Sequence, residues 1–241
     1  MLELMTFRPE QNEPSSSPFC TKAMICLTLA GQTWQPDFDP DFGAIPIGKL
    51  PVLKAGDALI PDSNRIIAWL EAQGADLFPG LDARGRAQAH AIMRMVEENL
   101  RLGLVHDRWI DEDVWPIVKD RFFGIVPEAA RDEVADGIRE QIQGWLNGHG
   151  VTRCSKADRM TYFAPDLAAL TALLEGQDWL NGDQPGAVDA SALPVLSALE
   201  TLPVETDLCR AIRNNATLMA YLRRGRSTLF QPLLNAVSAA A

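Results

Sequence analysis

Residues 15–22 of the chain read SSSPFCTK, a polar turn that leads directly into a helical pattern. A helix start exposes backbone N–H groups without partners and the positive end of the helix dipole, and both favour a thiolate. Ser17 and Cys20 have the spacing of a Cys-x-x-Cys motif whose first thiol is replaced by a hydroxyl. Ser17 can therefore donate a hydrogen bond to the thiolate of another molecule but cannot form a mixed disulfide. Ser17 can also be a plain N-cap followed by Pro18 at the first helical position.

The sequence on both sides of this turn predicts a small α/β unit. Residues 2–7 alternate loosely and predict a strand, and residues 8–17 predict a polar loop. A helix follows and ends at Gly31, and a second helix ends near Gly74. Further strands are predicted over residues 33–38, 51–54 and 58–60. This order gives a right-handed crossover and an antiparallel hairpin within the first 76 residues.

Two further clusters accompany the predicted hairpin. GKLPVL at residues 48–53 contains Pro51, which can be an ordinary strand-opening proline. It can also be a cis proline that leaves the backbone of Leu50 free to pair with an extended ligand. PDSN at residues 61–64 predicts a helix start, where Asp62 either caps the helix or accepts a bond from the amino group of a ligand.

Taken together, in this order and spacing, the three clusters resemble the N-terminal domain of glutathione transferases. The resemblance implies that glutathione is the co-substrate and that Ser17 faces its sulfur as the catalytic residue. It also implies a small electrophile as the second substrate. The residues that would bind glutathione are Lys49, Leu50, Pro51, Asp62 and Ser63.

The same resemblance assigns a part of glutathione to each of these residues. The backbone of Leu50, which precedes the proposed cis Pro51, would pair with the cysteinyl part. Asp62 and Ser63 would hold the γ-glutamyl end. Lys49 lies where some members of the family contact the glycyl carboxylate.

The character of the chain changes after a predicted linker at residues 77–84. From residue 85 to residue 241 the spacing is helical and predicts roughly five or six helices. Breaks are predicted near Trp115-Pro116, Phe123-Gly124, Gly148-His149-Gly150 and Asp183-Gln184-Pro185-Gly186. The predicted fold is a thioredoxin-like α/β domain over residues 1–76 followed by an all-α domain, which is the glutathione-transferase fold.

Parts of the second domain resemble one branch of that superfamily, which includes failed-axon-connections and metaxin-like proteins. The stretches are RFFGIVP at 121–127, GHGVTR at 148–153 and NGDQPGAVD at 181–189. Gly186 stands where the family has a capping Ser or Thr three residues before a buried Asp, here Asp189. Glycine is a tolerated cap and costs a few tenths of a kcal/mol. Thr152 and Cys154 also depart from the branch, which has Gly and His there.

Composition and charge exclude several classes of protein. The net charge of -10 and the lack of a dense basic run exclude nucleic acid as a partner. No run of about 18 apolar residues exists, and the first residues, MLELMTFRPEQNEP, do not have the pattern of a signal peptide. Four scattered cysteines fit reduced thiols in the cytoplasm, and the three histidines are too far apart in sequence to predict a metal site.

The leading hypothesis is an enzyme that lowers the pKa of the glutathione thiol for attack on an electrophile. The alternative is a non-catalytic binding or assembly protein that kept the fold, because fold does not fix function. A thiol–disulfide enzyme using Cys20 is weaker, since Cys20 occupies the second, usually buried position and has no partner cysteine nearby in sequence. A homodimer is implied by the family resemblance alone.

Other residues have two interpretations each. His106, Asp107, Arg108 and Trp109 could line an electrophile pocket, or they could end a helix and pack it. Trp69, Trp145 and Trp179 are predicted to lie in the core or between the domains. Glu97 and Glu98 are predicted to form a solvated face.

Overall fold

A single mixed sheet of four strands forms the centre of the first domain. The structure is a computed structural model and describes residues 1–238. The strands are β1 Leu2–Met5, β2 Trp34–Asp37, β3 Val52–Ala55 and β4 Ala58–Pro61, in the order β2-β1-β3-β4. β1 pairs in parallel with β2 and antiparallel with β3, and β3 pairs antiparallel with β4. The predicted crossover and hairpin are therefore confirmed, and each strand lies within two residues of its predicted bounds.

Helices account for most of the remaining chain. The first domain has α1 Pro18–Leu29 and α2 Ser63–Ala72. The second has α3 Ala83–Arg94, α4 Arg101–Trp109, α5 Trp115–Phe123, α6 Glu128–His149, α7 Lys156–Leu173, α8 Ala187–Glu200, α9 Asp207–Arg213, α10 Ala216–Gly225 and α11 Gln231–Ser238. π-helical turns at Met95–Leu100 and Arg226–Phe230 join α3 to α4 and α10 to α11. An α/β domain followed by an all-α domain is the predicted fold class.

Helix boundaries follow the predicted breaks closely. In the part of the chain that the structure describes, the second domain has seven continuous helical segments, where five or six were predicted. The short α9 escapes detection because seven residues give too few repeats of the helical period. α3 begins at Ala83, inside the predicted 77–84 linker. None of the described helices is long and apolar enough to cross a membrane.

α1 and α8 join the cores of the two domains. Every residue of α8 is buried, and the buried residues of α1 run without interruption from Cys20 to Leu27. The two helices pack against each other, and α1 also contacts α2. Because one hydrophobic cluster includes Leu4 and Leu53 of the sheet together with Leu193 of α8, the domains share a continuous core.

The departure at Gly186 has a steric reason. A Cβ atom at this position would lie 2.9 Å from the carbonyl oxygen of Leu77. The adjacent amide of Ala187 donates a 2.8 Å hydrogen bond to the same oxygen. The Asp189 carboxylate accepts from the Gly186 amide at 3.0 Å and so caps the helix without a side chain at position 186. Glycine therefore allows α8 to start directly against the chain that connects the domains.

Gly186→Ala should lower the free energy of unfolding by about 1–3 kcal/mol, because the new methyl group would push against backbone that cannot rotate away. Gly137→Ala is the matched control, since Gly137 is an exposed residue of α6 with open space around it. That change should stabilise the chain by up to about 1 kcal/mol through helix propensity. Urea titrations of both variants provide the measurement, and equal stability of the two would contradict the steric argument.

Candidate functional site

The turns that carry the predicted site residues meet at one end of the sheet. Met5 at the end of β1 pairs with Val52 at the start of β3, and Val52 pairs with Pro61 at the end of β4. The segments after β1, before β3 and after β4 therefore leave the sheet at the same edge. These segments carry Ser17, Lys49, Leu50, Pro51, Asp62 and Ser63.

Ser17 is the N-cap residue of α1, with extended backbone angles and Pro18 following it. Its side chain makes no hydrogen bond to the amides of the first helical turn. The Ser17 amide instead donates to Oγ of Ser15 at 3.3 Å, and that hydroxyl donates to the Phe7 carbonyl at 3.0 Å. Ser17 is thus half-buried at the start of a helix, with a hydroxyl that does not cap it.

Cys20 lies on the inner side of the same turn and is fully buried. Burial raises the pKa of its thiol, and hydrogen bonds from groups that include Thr6, Ser15 and Ser17 offset only part of that rise. The thiol is therefore protonated at neutral pH, which is unfavourable for a nucleophile. All four cysteines are free, so Cys20 has no disulfide partner. These properties suit a core thiol better than a redox centre.

The peptide bond between Leu50 and Pro51 is cis. The Pro51 carbonyl accepts a 3.1 Å hydrogen bond from the Asp62 amide, and this bond connects the cluster at residues 48–53 to the cluster at residues 61–64. The amide and carbonyl of Leu50 have no hydrogen-bond partner among residues 1–238. Both are available to an extended ligand. Lys49 is exposed and pairs with no acidic group in the described chain.

The start of α2 contains an unusual buried hydroxyl. Asp62 is the N-cap residue with a φ of 76°, and its carboxylate accepts from the Asn64 amide at 2.8 Å. Ser63 is 1% exposed, and its Oγ has no partner within the described residues. Burying the Ser63 hydroxyl without a hydrogen-bond partner costs free energy. A carboxylate of a ligand would supply that partner, and the start of a helix favours a bound anion. The two facts together make this a candidate anion site.

Glu97 was predicted to be solvated together with Glu98, and for Glu97 this is wrong. The Glu97 side chain is 2% exposed, whereas that of Glu98 is 60% exposed. Glu97 forms an ion pair with Lys22 of α1. The sequence pattern fails here because the π-helical turn at Met95–Leu100 rotates side chains out of the regular helical phase. A π-helical turn inside a helix is itself frequent at functional sites.

The helical domain holds the predicted loop before Ser17 in place. Arg108 of α4 donates to the Ser16 carbonyl at 3.1 Å, and Arg121 of α5 pairs with Glu10 at 3.4 Å. Glu13 is 7% exposed and accepts a hydrogen bond from Ser197 of α8. Burial raises the pKa of Glu13 to about 7. The position of Ser17 therefore depends on contacts from both domains.

Of the four residues considered for an electrophile pocket, only Arg108 reaches the loop. Nδ1 of His106 lies 3.0 Å from the carboxylate of Asp107, and both side chains are buried. Trp109 ends α4 and packs its ring 5.3 Å from that of Trp115. The packing interpretation therefore holds for these three residues. A pocket between Arg108, Arg121 and Phe122 lies beside the loop.

The three tryptophans predicted to lie in the core or between the domains differ in their exposure. Trp179 is buried and Trp69 is half-buried, as predicted. Trp145 is 44% exposed, so its assignment to the core or domain interface is wrong. Its ring lies 5.3 Å from the Arg101 guanidinium, which also stacks at 5.5 Å on Phe19, two residues after Ser17.

Within residues 1–238 no three His, Cys, Asp or Glu side chains are grouped to hold a metal ion.

A thioredoxin-like sheet with a cis proline before β3, followed by an all-α domain, defines the class of glutathione-transferase folds. Residues 18–114 match the family described as the glutathione S-transferase N-terminal domain. Among solved structures, β-etherase LigF from Sphingobium sp. strain SYK-6 has a TM-score of 0.68 at 17% identity, covering 100% of this chain and 99% of that one. Glutathione transferase F7 from Populus trichocarpa has a TM-score of 0.62 at 15% identity, covering 98% and 99%. These matches support membership of the glutathione transferase superfamily, with the family match confined to residues 18–114.

Two curated relatives of this chain differ in kind, since one is named as a transferase and the other is a metaxin. Isoprene-epoxide–glutathione S-transferase from Rhodococcus sp. (strain AD45) is 28% identical over 242 residues, covering 94% of this chain and 98% of the relative. Metaxin-2 from Mus musculus is 23% identical over 188 residues, covering 77% of this chain and 72% of the relative. The metaxin-like part of the predicted resemblance is thereby confirmed.

Proposed function

We propose that the chain is an enzyme that binds glutathione and activates its thiol for attack on a small electrophile. The buried, unpartnered hydroxyl of Ser63 at the start of α2 carries the proposal. It suits the α-carboxylate of the γ-glutamyl end, which would receive hydrogen bonds from Oγ and from free amides of the first turn. The free backbone groups of Leu50 suit the cysteinyl part.

In the proposed chemistry the protein has two tasks, which are to position the glutathione sulfur and to stabilise the negative charge of its thiolate. Extended along Leu50, glutathione would place its sulfur toward the start of α1, where Ser17 donates to the thiolate. The thiol proton is released to solvent. The thiolate then forms a carbon–sulfur bond as the electrophile loses a leaving group or, for an epoxide, as the ring opens and the alkoxide takes a proton from water. Because one relative is named for an epoxide substrate, epoxides are the first electrophiles to test.

A non-catalytic binding or assembly protein is the second candidate. The similarity to metaxin-2 over 77% of the chain favours it. The cytoplasmic location and the homodimer remain predictions.

Glutathione at about 100 times its dissociation constant should add about 2.7 kcal/mol to the stability of the wild type. This appears as a rise of several degrees in melting temperature. Ser63→Ala should abolish most of the rise, because it removes the hydroxyl proposed to bind the ligand. Thr21→Val is the matched control, since Thr21 Oγ1 is also buried without a partner but lies on α1. A rise that persists in Ser63→Ala would reject this site, and no rise in the wild type would favour the binding or assembly protein.

A further inference from the structure

A buried polar cluster connects the helical domain to the start of α2. It consists of Lys22 from α1, Asn64 from α2, Glu97 from the π-helical turn and Ser191 from α8. Lys22 and Glu97 form its ion pair, with side chains 1% and 2% exposed. Arg94, which lies outside the cluster with a side chain 39% exposed, also pairs with Glu97. We refer to these four residues as the Lys22–Glu97 cluster.

Each charge in the cluster has several hydrogen-bond partners. Nζ of Lys22 donates to Oδ1 of Asn64 at 2.7 Å as well as to Glu97. The Glu97 carboxylate accepts from Nδ2 of Asn64 at 3.0 Å and from Oγ of Ser191 at 2.7 Å. Burial alone would raise the pKa of Glu97, but Lys22 and these donors hold it below its usual value. Glu97 is therefore ionised at neutral pH, and its hydrogen bonds hold the side chains of Asn64 and Ser191 in place.

Asn64 links this cluster to the candidate anion site. Its side-chain amide is held at both ends, the oxygen by Lys22 and the nitrogen by Glu97. Its backbone amide donates to the Asp62 carboxylate at 2.8 Å. Ser63, whose Oγ has no partner in the described chain, lies between Asp62 and Asn64. The orientation of the first turn of α2 is thus set by hydrogen bonds from Asn64 to Lys22 of α1 and to Glu97 of the helical domain.

We propose that Lys22 and Glu97 are positioning residues for the γ-glutamyl end of glutathione and act through Asn64 on Asp62 and Ser63. Neither residue contacts the ligand in this arrangement. The inference rests on the proposed function and adds that glutathione affinity depends on a contact from the helical domain. A fixed first turn lowers the cost of ordering the site when the ligand binds.

Asn64→Ala tests the link and leaves the ion pair of Lys22 and Glu97 intact. We expect glutathione to bind about 10-fold more weakly, which is the net effect of one or two hydrogen bonds. The KM for glutathione should rise by the same factor while kcat at saturation changes less than about 2-fold, because the ligand, once bound, is held in the same place. A merely structural role would instead lower the melting temperature without changing the KM of the folded fraction.

Asn215→Ala is the matched control. Asn215 is also held at both ends of its side chain, because it donates to Thr171 at 2.8 Å and accepts from the Leu218 amide at 3.0 Å. It lies at the start of α10, which packs against α7, α8 and α9. This variant should lose stability and keep the affinity of the wild type for glutathione.

The double variant Lys22→Met with Glu97→Met removes the buried ion pair and keeps the volume, while the partly exposed Arg94 keeps its pairing with Glu98. Replacing a whole buried ion pair by apolar residues is often neutral for stability, so the chain should still fold. Its affinity for glutathione, measured by calorimetry, should fall to that of Asn64→Ala. Wild-type affinity in both folded variants would overturn the positioning role alone. No binding by the wild type would overturn both that role and the proposed function.

Discussion

Ser17→Ala should lower kcat/KM for glutathione conjugation by about 100-fold while the affinity for glutathione changes less than about 3-fold. A hydrogen bond to a charged group contributes about 1.5–3 kcal/mol, and each 1.4 kcal/mol is a factor of ten. Affinity is spared because the ligand is held mainly by Leu50 and the start of α2. The pKa of the bound thiol should also rise toward its value in free glutathione, which moves the pH–rate profile to higher pH.

Ser16→Ala is the matched control for this variant. The Ser16 side chain makes no hydrogen bond within residues 1–238, although its carbonyl accepts from Arg108. The substitution should therefore leave turnover unchanged. Loss of activity in Ser16→Ala with retention in Ser17→Ala would move the catalytic hydroxyl by one residue. Retention in both would remove this turn from the mechanism.

Glu13→Gln should change how stability depends on pH. Glu13 has a pKa raised from 4.5 to about 7, with burial as the largest cause. Between these values the folded state binds a proton that the unfolded state has lost, so stability falls as pH rises through this window. The wild type should lose about 3 kcal/mol between pH 4.5 and pH 8 through this residue. Glutamine is neutral at every pH and should not show that loss.

Urea titrations at several pH values measure this difference. The stability of Glu13→Gln relative to the wild type should increase steadily from pH 4.5 to about pH 7 and then level off. Parallel curves for the two proteins would contradict the prediction. The groups that face Glu13 from the packed elements are Ser197, Arg226, Arg108 and Glu10. The hydrogen bond from Ser197 and the charges of Arg226 and Arg108 lower the pKa of Glu13, the charge of Glu10 raises it, and burial remains the largest effect.

Local patterns predict the fold of this chain well. The alternation of residues 2–7, the turn at 55–57 and the helix start at Asp62 each determine a neighbouring element through short-range rules. The shared edge of the three clusters follows from their order along one sheet, whereas the cis bond before Pro51 is implied by the family resemblance. The residues of the candidate site therefore converge as expected, although their roles stay predictions.

Long-range polar contacts are what the patterns could not predict. Glu13 meets Ser197 across 184 residues, and Lys22 meets Glu97 across 75. No local rule relates positions so far apart. A charged residue on a helix is assigned to solvent by default, and the π-helical turn that buries Glu97 carries no signature in a single sequence. Lys22 is the one charged residue of α1, and this is the sequence signal that could have prompted a search for its partner.

The ion pair between Lys22 and Glu97 constrains how this chain can be recombined with its relatives. A chimera that joins residues 1–76 to a helical half without a carboxylate at position 97 would bury Lys22 unpaired, and an unpaired buried charge strongly destabilises a fold. The first 76 residues expressed alone would expose that lysine together with the apolar face of α1. Because Lys22 and Glu97 lie in different halves of the chain, the two halves depend on each other. Substitutions at positions 22 and 97 should therefore occur together across homologous sequences.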